Sequence, residues 1–147
     1  MKHAPSRAAS IERRFPSRLR EVDAACLELR GFLQTHGLAA RLFPIEVTVR
    51  ECLNNAVLHG NKRKASLTVS FSVRLGPRWL RVSVADEGPG FAWRRRACLP
   101  GTEAWHGRGK SILTLHTSKV SHNRRGNSVT LWFERGPASN PQTPQAP

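Results

Sequence analysis

The chain contains few cysteines, few acidic residues and no long apolar run. Its three cysteines, Cys26, Cys52 and Cys98, are an odd number without a CxxC pair, so we expect neither a disulfide framework nor a zinc site. No apolar stretch approaches the ~20 residues that a membrane span needs, and the basic N-terminus lacks the apolar segment of a signal peptide. We therefore expect a cytoplasmic protein without membrane association, in which Cys26 and Cys52 are core residues.

The shortage of acidic residues leaves the chain strongly basic. Against 10 Asp and Glu there are 24 Lys and Arg, which gives a formal net charge of +14. Such a charge attracts nucleic acids, and it equally attracts an acidic protein partner. Most basic residues are scattered, and no nucleic-acid motif accompanies the short clusters Lys62–Lys64, Arg94–Arg96 and Arg124-Arg125. We therefore expect no direct contact with nucleic acid.

Hydrophobic periodicity predicts helices early in the chain and strands late. A short strand over residues 9–15 precedes a helix that opens at Pro16-Ser17 and closes at Gly37, with Leu19, Val22, Cys26, Leu29 and Leu33 on its apolar face. A second helix is predicted from Pro44 to Gly60. Alternating apolar residues predict strands at 67–75 and 80–84 and a last hairpin at 119–122 and 128–133. This order favours an α+β fold, with helices on one face of a mostly antiparallel sheet.

The sequence predicts one folded domain over residues 9–135. The lead of residues 1–8 and the tail of residues 136–147, rich in Pro, Gln, Ser and Ala, are expected to be disordered. Residues 92–105 lack a clear period and predict a mobile loop, whereas residues 111–117 predict a short helix.

The first of three short motifs lies on the second predicted helix, as the sequence ECLNNAVLHG of Glu51–Gly60. Glu51 and Asn55 are four residues apart, so their side chains meet on one helical face. An amide oxygen is a suitable ligand for Mg²⁺, and a neighbouring carboxylate can orient a hydroxyl or accept its proton. A solvent-facing polar stripe would explain the same spacing.

The second motif, DEGPGF, begins at Asp86, directly after a predicted strand. An acid at this place can accept the exocyclic N–H of a base, and Gly88 and Gly90 let the backbone approach the ring. An Asx-type turn after a hairpin strand is the alternative explanation.

The third motif, HGRGKS, begins at His106 and precedes a predicted helix. Backbone N–H groups of Gly107–Ser111 and the helix N-terminus can hold phosphate, although an ordinary glycine-rich helix entry has the same composition. A Walker loop is excluded, because its first glycine would fall at Ala104 and no apolar strand precedes it.

Together and in this order, the motifs resemble those of the Bergerat-fold, or GHKL, ATPases. Glu51–Gly60 matches the N box of that superfamily, Asp86–Gly90 its first glycine box, Gly107–Gly109 its second and Gly126–Ser128 its last box. The resemblance covers residues 9 to 134 and implies the two-layer Bergerat ATP-binding sandwich.

Within that superfamily the chain is most similar to the anti-sigma-factor serine kinases of bacterial partner-switching systems. The resemblance implies binding of ATP and Mg²⁺, phosphorylation of a serine on an anti-anti-sigma protein of the STAS type, and sequestration of a sigma factor. It leaves a homodimer open. An ATP-binding anti-sigma module without kinase activity is the alternative, and the presence of Glu51 favours the kinase. A histidine-kinase catalytic domain is disfavoured, since no helix with a phospho-accepting histidine precedes the motifs.

The resemblance also implies a role for each matched residue. Glu51 would be the catalytic base, Asn55 would ligate Mg²⁺ and Asp86 would hold the adenine. Lys110 stands where the family often has an apolar residue, and Asn127-Ser128 replaces a more usual threonine pair. The implied nucleotide contacts are Asn55, Asp86, Gly88, Gly90, Gly107, Arg108, Gly109, Lys110, Ser111 and Ser128.

Overall fold

The structure, a computed structural model, describes residues 8–90 and 117–136. Those residues form two long helices and five strands: β1 (Ser10–Pro16), α1 (Leu19–Thr35), α2 (Leu42–Asn55), β2 (Thr68–Leu75), β3 (Trp79–Ala85), β4 (Lys119–His122) and β5 (Ser128–Glu134). A 3-10 turn, Ala39–Arg41, precedes α2, and a π-helical turn, Ala56–Gly60, follows it. The predicted loop at residues 92–105 and nearly all of the predicted helix at 111–117, lead and tail lie outside the described residues.

The strands form one sheet in the order β1-β2-β3-β5-β4, and every neighbouring pair is antiparallel. In the register of the central strands, Phe71 lies opposite Val84 and Val82 lies opposite Leu131. Because β5 pairs with both β3 and β4, the last of the described strands lies inside the sheet rather than at its edge. The predicted α+β sandwich is confirmed.

The hydrophobic core lies between the helices and one face of the sheet. Alternate strand residues face it, as the pleat of a strand requires. Its largest fully buried side chains come from both layers: Phe71, Phe133, Leu29, Leu33, Ile45, Leu53, Leu80, Leu131, Val22, Val49, Val57 and Val69. No helix in the described part of the chain is long and apolar enough to cross a membrane.

The start of each helix differs from the prediction. Helix α1 begins at Leu19, since Ser17 is instead buried with its hydroxyl donating to the Leu67 carbonyl at 2.7 Å. Leu19 was predicted on the apolar face, but its first-turn position leaves it 41% exposed. Helix α2 begins at Leu42 and contains Pro44 in its first turn, where proline is tolerated because no backbone N–H is needed there. Gly37 follows α1 at φ 77°, as a helix-terminating glycine does.

The end of α2 also departs from a regular helix. The α-helix stops at Asn55 and widens into the π-helical turn that ends at Gly60. The Asn61 N–H then bonds the Ala56 carbonyl at 2.8 Å, five residues back. Lys62 and Arg63 follow with φ values of 51° and 59°, in the left-handed region. A π-turn of this kind is rare and often marks a functional site.

Ion pairs join α2 to α1. The Arg30 guanidinium donates to both carboxylate oxygens of Glu46, at 3.1 and 2.9 Å, and Arg50 donates to Asp23 at 2.6 Å. These pairs add to the buried apolar contacts of α2, the helix that carries the first motif.

Candidate functional site

The polar side of α2 carries Glu51 and Asn55 one turn apart, as the spacing predicts. Both residues are half-buried, while their neighbours Cys52, Leu53 and Ala56 are in the core. Among the described residues, neither Glu51 nor Asn55 has a side-chain hydrogen bond or ion pair. The Glu51 carboxylate and the Asn55 amide therefore lie at the edge of the core, and neither forms a stabilising side-chain bond to the described residues.

Asp86 follows β3 directly and begins a tight turn. Its Oδ1 accepts the Gly88 N–H at 2.8 Å, so the Asx-type turn foreseen as the alternative does form. Burial raises the pKa of the Asp86 carboxyl, while the Gly88 N–H and the positive charge of Arg125 lower it. The second carboxylate oxygen, Oδ2, has no hydrogen-bond partner in the described part of the chain.

Glycines allow the backbone of the first motif to touch the Asp86 turn. A Cβ atom on Gly60 would overlap the Asp86 carboxylate, and one on Gly88 would overlap the Gly60 carbonyl. Gly90, at φ 79°, likewise leaves no room for a Cβ against the Arg125 carbonyl. The two sequence motifs thus meet in space, and the close approach explains why glycine is needed at these places.

Glu87 fastens the same turn to the start of β2. Its Oε2 accepts the Thr68 backbone N–H at 2.6 Å and the Thr68 hydroxyl at 3.1 Å. These bonds, together with the charge of Arg14, lower the pKa of the Glu87 carboxyl. Glu87 is therefore a structural residue, which leaves Asp86 as the carboxylate of this turn that can serve a ligand.

Asn61 was not foreseen from the sequence, although it follows the first motif directly. It is 1% exposed, and its Nδ2 donates to the Ser17 hydroxyl at 2.7 Å and to the Thr68 carbonyl at 2.9 Å. Its Oδ1 accepts the Glu87 N–H at 2.9 Å. An asparagine after a helix-ending glycine is a sequence signal, but such residues commonly face solvent in turns.

Asn127 approaches the turn from the final hairpin. Its Nδ2 donates to the Asp86 carbonyl at 3.1 Å and to the Gly88 carbonyl at 3.5 Å, and its own carbonyl accepts the Asp86 N–H at 2.9 Å. The neighbouring Ser128 lies opposite Ala85, on the same side of β5 as Thr130 and facing away from the helices. That Ser128 contacts nucleotide stays a prediction. Gly107, Arg108, Gly109, Lys110 and Ser111 lie outside the described residues.

A shallow concavity of about 440 Å³ lies elsewhere, on the outer face of the sheet, where Ser70, Ser72 and Ser83 line it. That face is turned away from α1 and α2, although the lining also includes Ala85, which directly precedes Asp86. We assign it no role in the candidate site.

The comparison with protein families identifies the chain. A family model described as the histidine kinase-like ATPase domain matches residues 15–133. This match covers most of the chain, so the protein belongs to that family, and the predicted superfamily is confirmed. Membership implies ATP binding and a kinase-like or ATPase activity. No curated protein matches the chain.

The described residues fit the base end of a nucleotide. The Asp86 carboxylate offers an acceptor for an exocyclic amino group, and the glycines around it let the Gly60 and Asp86 backbones pack closely enough to hold that carboxylate in place. No group of three or more His, Cys, Asp or Glu suited to a metal is found within the described ranges. A magnesium ion held by Asn55 would therefore draw its other ligands from water and phosphate oxygens, as Mg²⁺ usually does.

Proposed function

We propose that the protein is an ATP-dependent serine kinase and anti-sigma factor of a bacterial partner-switching system. It would phosphorylate an anti-anti-sigma protein of the STAS type and, in its other state, sequester a sigma factor. The observation that carries the proposal is the contact between the two motifs, in which Gly60 and Gly88 bring the end of the Asn55 helix against the Asp86 turn.

The proposal assigns complementary roles to three side chains. Asp86 would accept a hydrogen bond from the adenine amino group, and Asn55 would hold Mg²⁺ through its amide oxygen. Glu51 would accept the proton of the partner's serine hydroxyl as that oxygen bonds to the γ-phosphorus. The bond between the γ-phosphorus and the bridging oxygen breaks, and ADP leaves. The half-buried placement of Glu51 and Asn55 one turn apart supports this division of work.

Calorimetry tests the nucleotide half of the proposal. Asn55→Ala and Asp86→Ala should each weaken Mg-ATP binding at least tenfold, which corresponds to about 1.4 kcal/mol. Asn54→Ala is the matched control, because Asn54 is also half-buried on α2 but precedes the proposed ligand by one position. Removing the metal with EDTA should weaken the wild type and leave Asn55→Ala little changed. Equal ATP affinity in the wild type and in all folded variants would refute the proposed nucleotide site.

Transfer of labelled phosphate tests the kinase half. Purified STAS-type proteins from the same bacterium serve as acceptors, and Glu51→Gln should keep ATP affinity while slowing transfer about 10²-fold or more, since an amide cannot accept the proton. Glu51→Gln transferring at the wild-type rate would refute the assignment of the base. A wild type that binds ATP and a sigma factor but transfers no phosphate would instead identify the non-kinase module.

A further inference from the structure

Two asparagines hold the backbone of residues 86–88 from opposite sides. Asn61 reaches the turn from the end of the first motif, and Asn127 reaches it from the last hairpin. Asn61 lies outside the motifs that the resemblance matches, and Asn127 lies in the last box, where Ser128 and not Asn127 is the implied nucleotide contact. Both nevertheless end within hydrogen-bond distance of the backbone that carries Asp86.

Asn61 is buried, and both the amide nitrogen and the carbonyl oxygen of its side chain form hydrogen bonds. Its two N–H groups bond Ser17 and Thr68, and its carbonyl oxygen bonds the Glu87 N–H at 2.9 Å. The side chain follows the π-helical turn directly. In that turn the Asn61 backbone N–H bonds the Ala56 carbonyl, five residues earlier in the chain. Since the residue is 1% exposed, losing any one of these bonds would leave a buried polar group unpaired.

Asn127 is prepared for its contact by another asparagine. Asn123 Oδ1 accepts the backbone N–H groups of Gly126, Asn127 and Ser128 at 2.8, 3.0 and 3.1 Å, and its Nδ2 donates to Asn127 Oδ1 at 2.6 Å. The bond to Oδ1 leaves the Asn127 amide nitrogen to face the carbonyls of Asp86 and Gly88. The bonds from Asn123 therefore fix the orientation of the Asn127 side chain independently of its contact with the Asp86 turn.

A turn that contains glycines needs such restraints to keep one conformation. Glycine has the largest backbone freedom to lose, so residues 86–90 would otherwise sample several arrangements of the Asp86 carboxylate. An acceptor that is already fixed binds its ligand more tightly, because less entropy is lost on binding. A loose turn would hold the same carboxylate in fewer productive orientations.

We propose that Asn61 and Asn127 are positioning residues of the nucleotide site, which fix the Asp86 turn and so set both the affinity for ATP and its preference for adenine over guanine. The inference rests on the proposed nucleotide site at Asp86. It concerns residues that act through Asp86 and need not touch ATP themselves.

Hydrogen exchange of the nucleotide-free protein tests the positioning directly. In Asn61→Ala the Glu87 amide should exchange at least tenfold faster than in the wild type, relative to amides in the centre of β3. Ser17→Ala is the matched control, because it removes a partner of the same buried Asn61 but leaves the bond from Glu87 intact. Equal protection of Glu87 in Asn61→Ala and in the wild type would overturn the inference.

A double-mutant cycle with Asp86→Ala separates positioning from general loss of stability. Asn61→Ala should weaken Mg-ATP binding about tenfold and reduce the ratio of ATP to GTP affinity. In the Asp86→Ala background the same change should alter Mg-ATP affinity less than twofold, although it still lowers the melting temperature. Tenfold weakening in both backgrounds would mean that Asn61 acts through overall stability, and the inference would be wrong.

A substitute variant and the exchange measurement test the inference in two further cases. If Asn61→Ala does not fold, Asn127→Ala takes its place in the cycle with the same expected tenfold and twofold effects, because Asn127 is only half-buried. If the wild type binds no ATP, the proposed function fails and the effect on affinity falls with it. Faster Glu87 exchange in Asn61→Ala would then still support the hold on the turn.

Discussion

At the scale of single residues, Asp86 combines an unfavourable environment with a defined backbone bond. Burial raises the pKa of its carboxyl, so the folded protein binds that proton more strongly than the unfolded chain does. At neutral pH the ionised Asp86 carboxylate therefore lowers the stability of the folded protein relative to the unfolded chain. A half-buried carboxylate that lowers stability in this way is common at functional sites.

Asp86→Asn should accordingly stabilise the protein while weakening ATP binding. Asn can still accept the Gly88 N–H but carries no charge, so the desolvation cost is removed together with the proposed charge-assisted bond to the base. The gain in unfolding free energy should be largest near pH 7 and shrink as the pH falls towards 3.8, the ordinary pKa of the group. Chemical denaturation across this pH range measures it. A variant less stable than the wild type at pH 7 would contradict the sign.

Gly88 shows the cost of a single methyl group at the site. Gly88→Ala would drive a Cβ into the Gly60 carbonyl, so we expect the unfolding free energy to fall by about 2 kcal/mol. Gly31→Ala is the control: Gly31 lies in α1 with open space around it, and this change should stabilise by roughly 0.5–1 kcal/mol. Urea denaturation of the two variants checks the contrast. A Gly88→Ala protein as stable as the wild type would disprove the close approach.

The sequence allowed some site residues to be predicted because their relation is local. Glu51 and Asn55 are linked by helical spacing, and Asp86 is marked by the strand that it follows and the glycines after it. Asn61 and Asn127 could not be found in this way. Their bonds reach Ser17 and Asp86, 44 and 41 residues away along the chain, and no local period records such contacts.

At the scale of elements, the connection from α2 to β2 stores backbone strain. Lys62 and Arg63 adopt left-handed conformations directly after the π-helical turn, and neither is glycine. Side chains with a Cβ atom adopt this region at a cost of about 1–2 kcal/mol each. The bonds of the neighbouring Asn61 hold the connection in this conformation.

Arg63→Gly should therefore raise the unfolding free energy by about 1 kcal/mol, since glycine adopts positive φ without the Cβ penalty. The Arg63 N–H, which bonds the Val57 carbonyl at 2.8 Å, is retained. Lys64→Gly serves as the control, because Lys64 is not among the residues with positive φ and should gain nothing. Thermal melting of both variants provides the measurement. Equal shifts in the two would argue against strain at Arg63.

The positions of the elements could be predicted better than their ends. Alternating apolar residues located β2, β3 and the last hairpin to within one or two residues, because one buried face imposes a period of two. The ends of the helices depended on tertiary contacts instead. Ser17 is buried against Leu67, and α1 therefore begins two residues later, at Leu19. The π-helical turn follows no simple sequence rule, and it carries the first motif beyond the end of α2.

At the scale of the whole molecule, two thiols report on the integrity of the core. Burial raises the pKa of Cys26 to about 11 and that of Cys52 to about 12, so both are protonated at pH 8. In a Cys98→Ser protein, neither should react with a thiol reagent until the chain unfolds. Reaction rates measured against urea concentration should follow global unfolding. Rapid reaction of the native protein would show instead that α1 and α2 separate locally.

The strand order also determines when during synthesis the site can exist. Asp86 leaves the ribosome 41 residues before Asn127, and until β5 arrives the strand β3 is an unpaired edge. A chain arrested before residue 127 therefore contains both the Asn55 helix and the Asp86 carboxylate, yet lacks half of the restraint on the turn. Nucleotide would bind completed chains more tightly than unfinished ones, and its binding free energy would therefore stabilise the finished domain most.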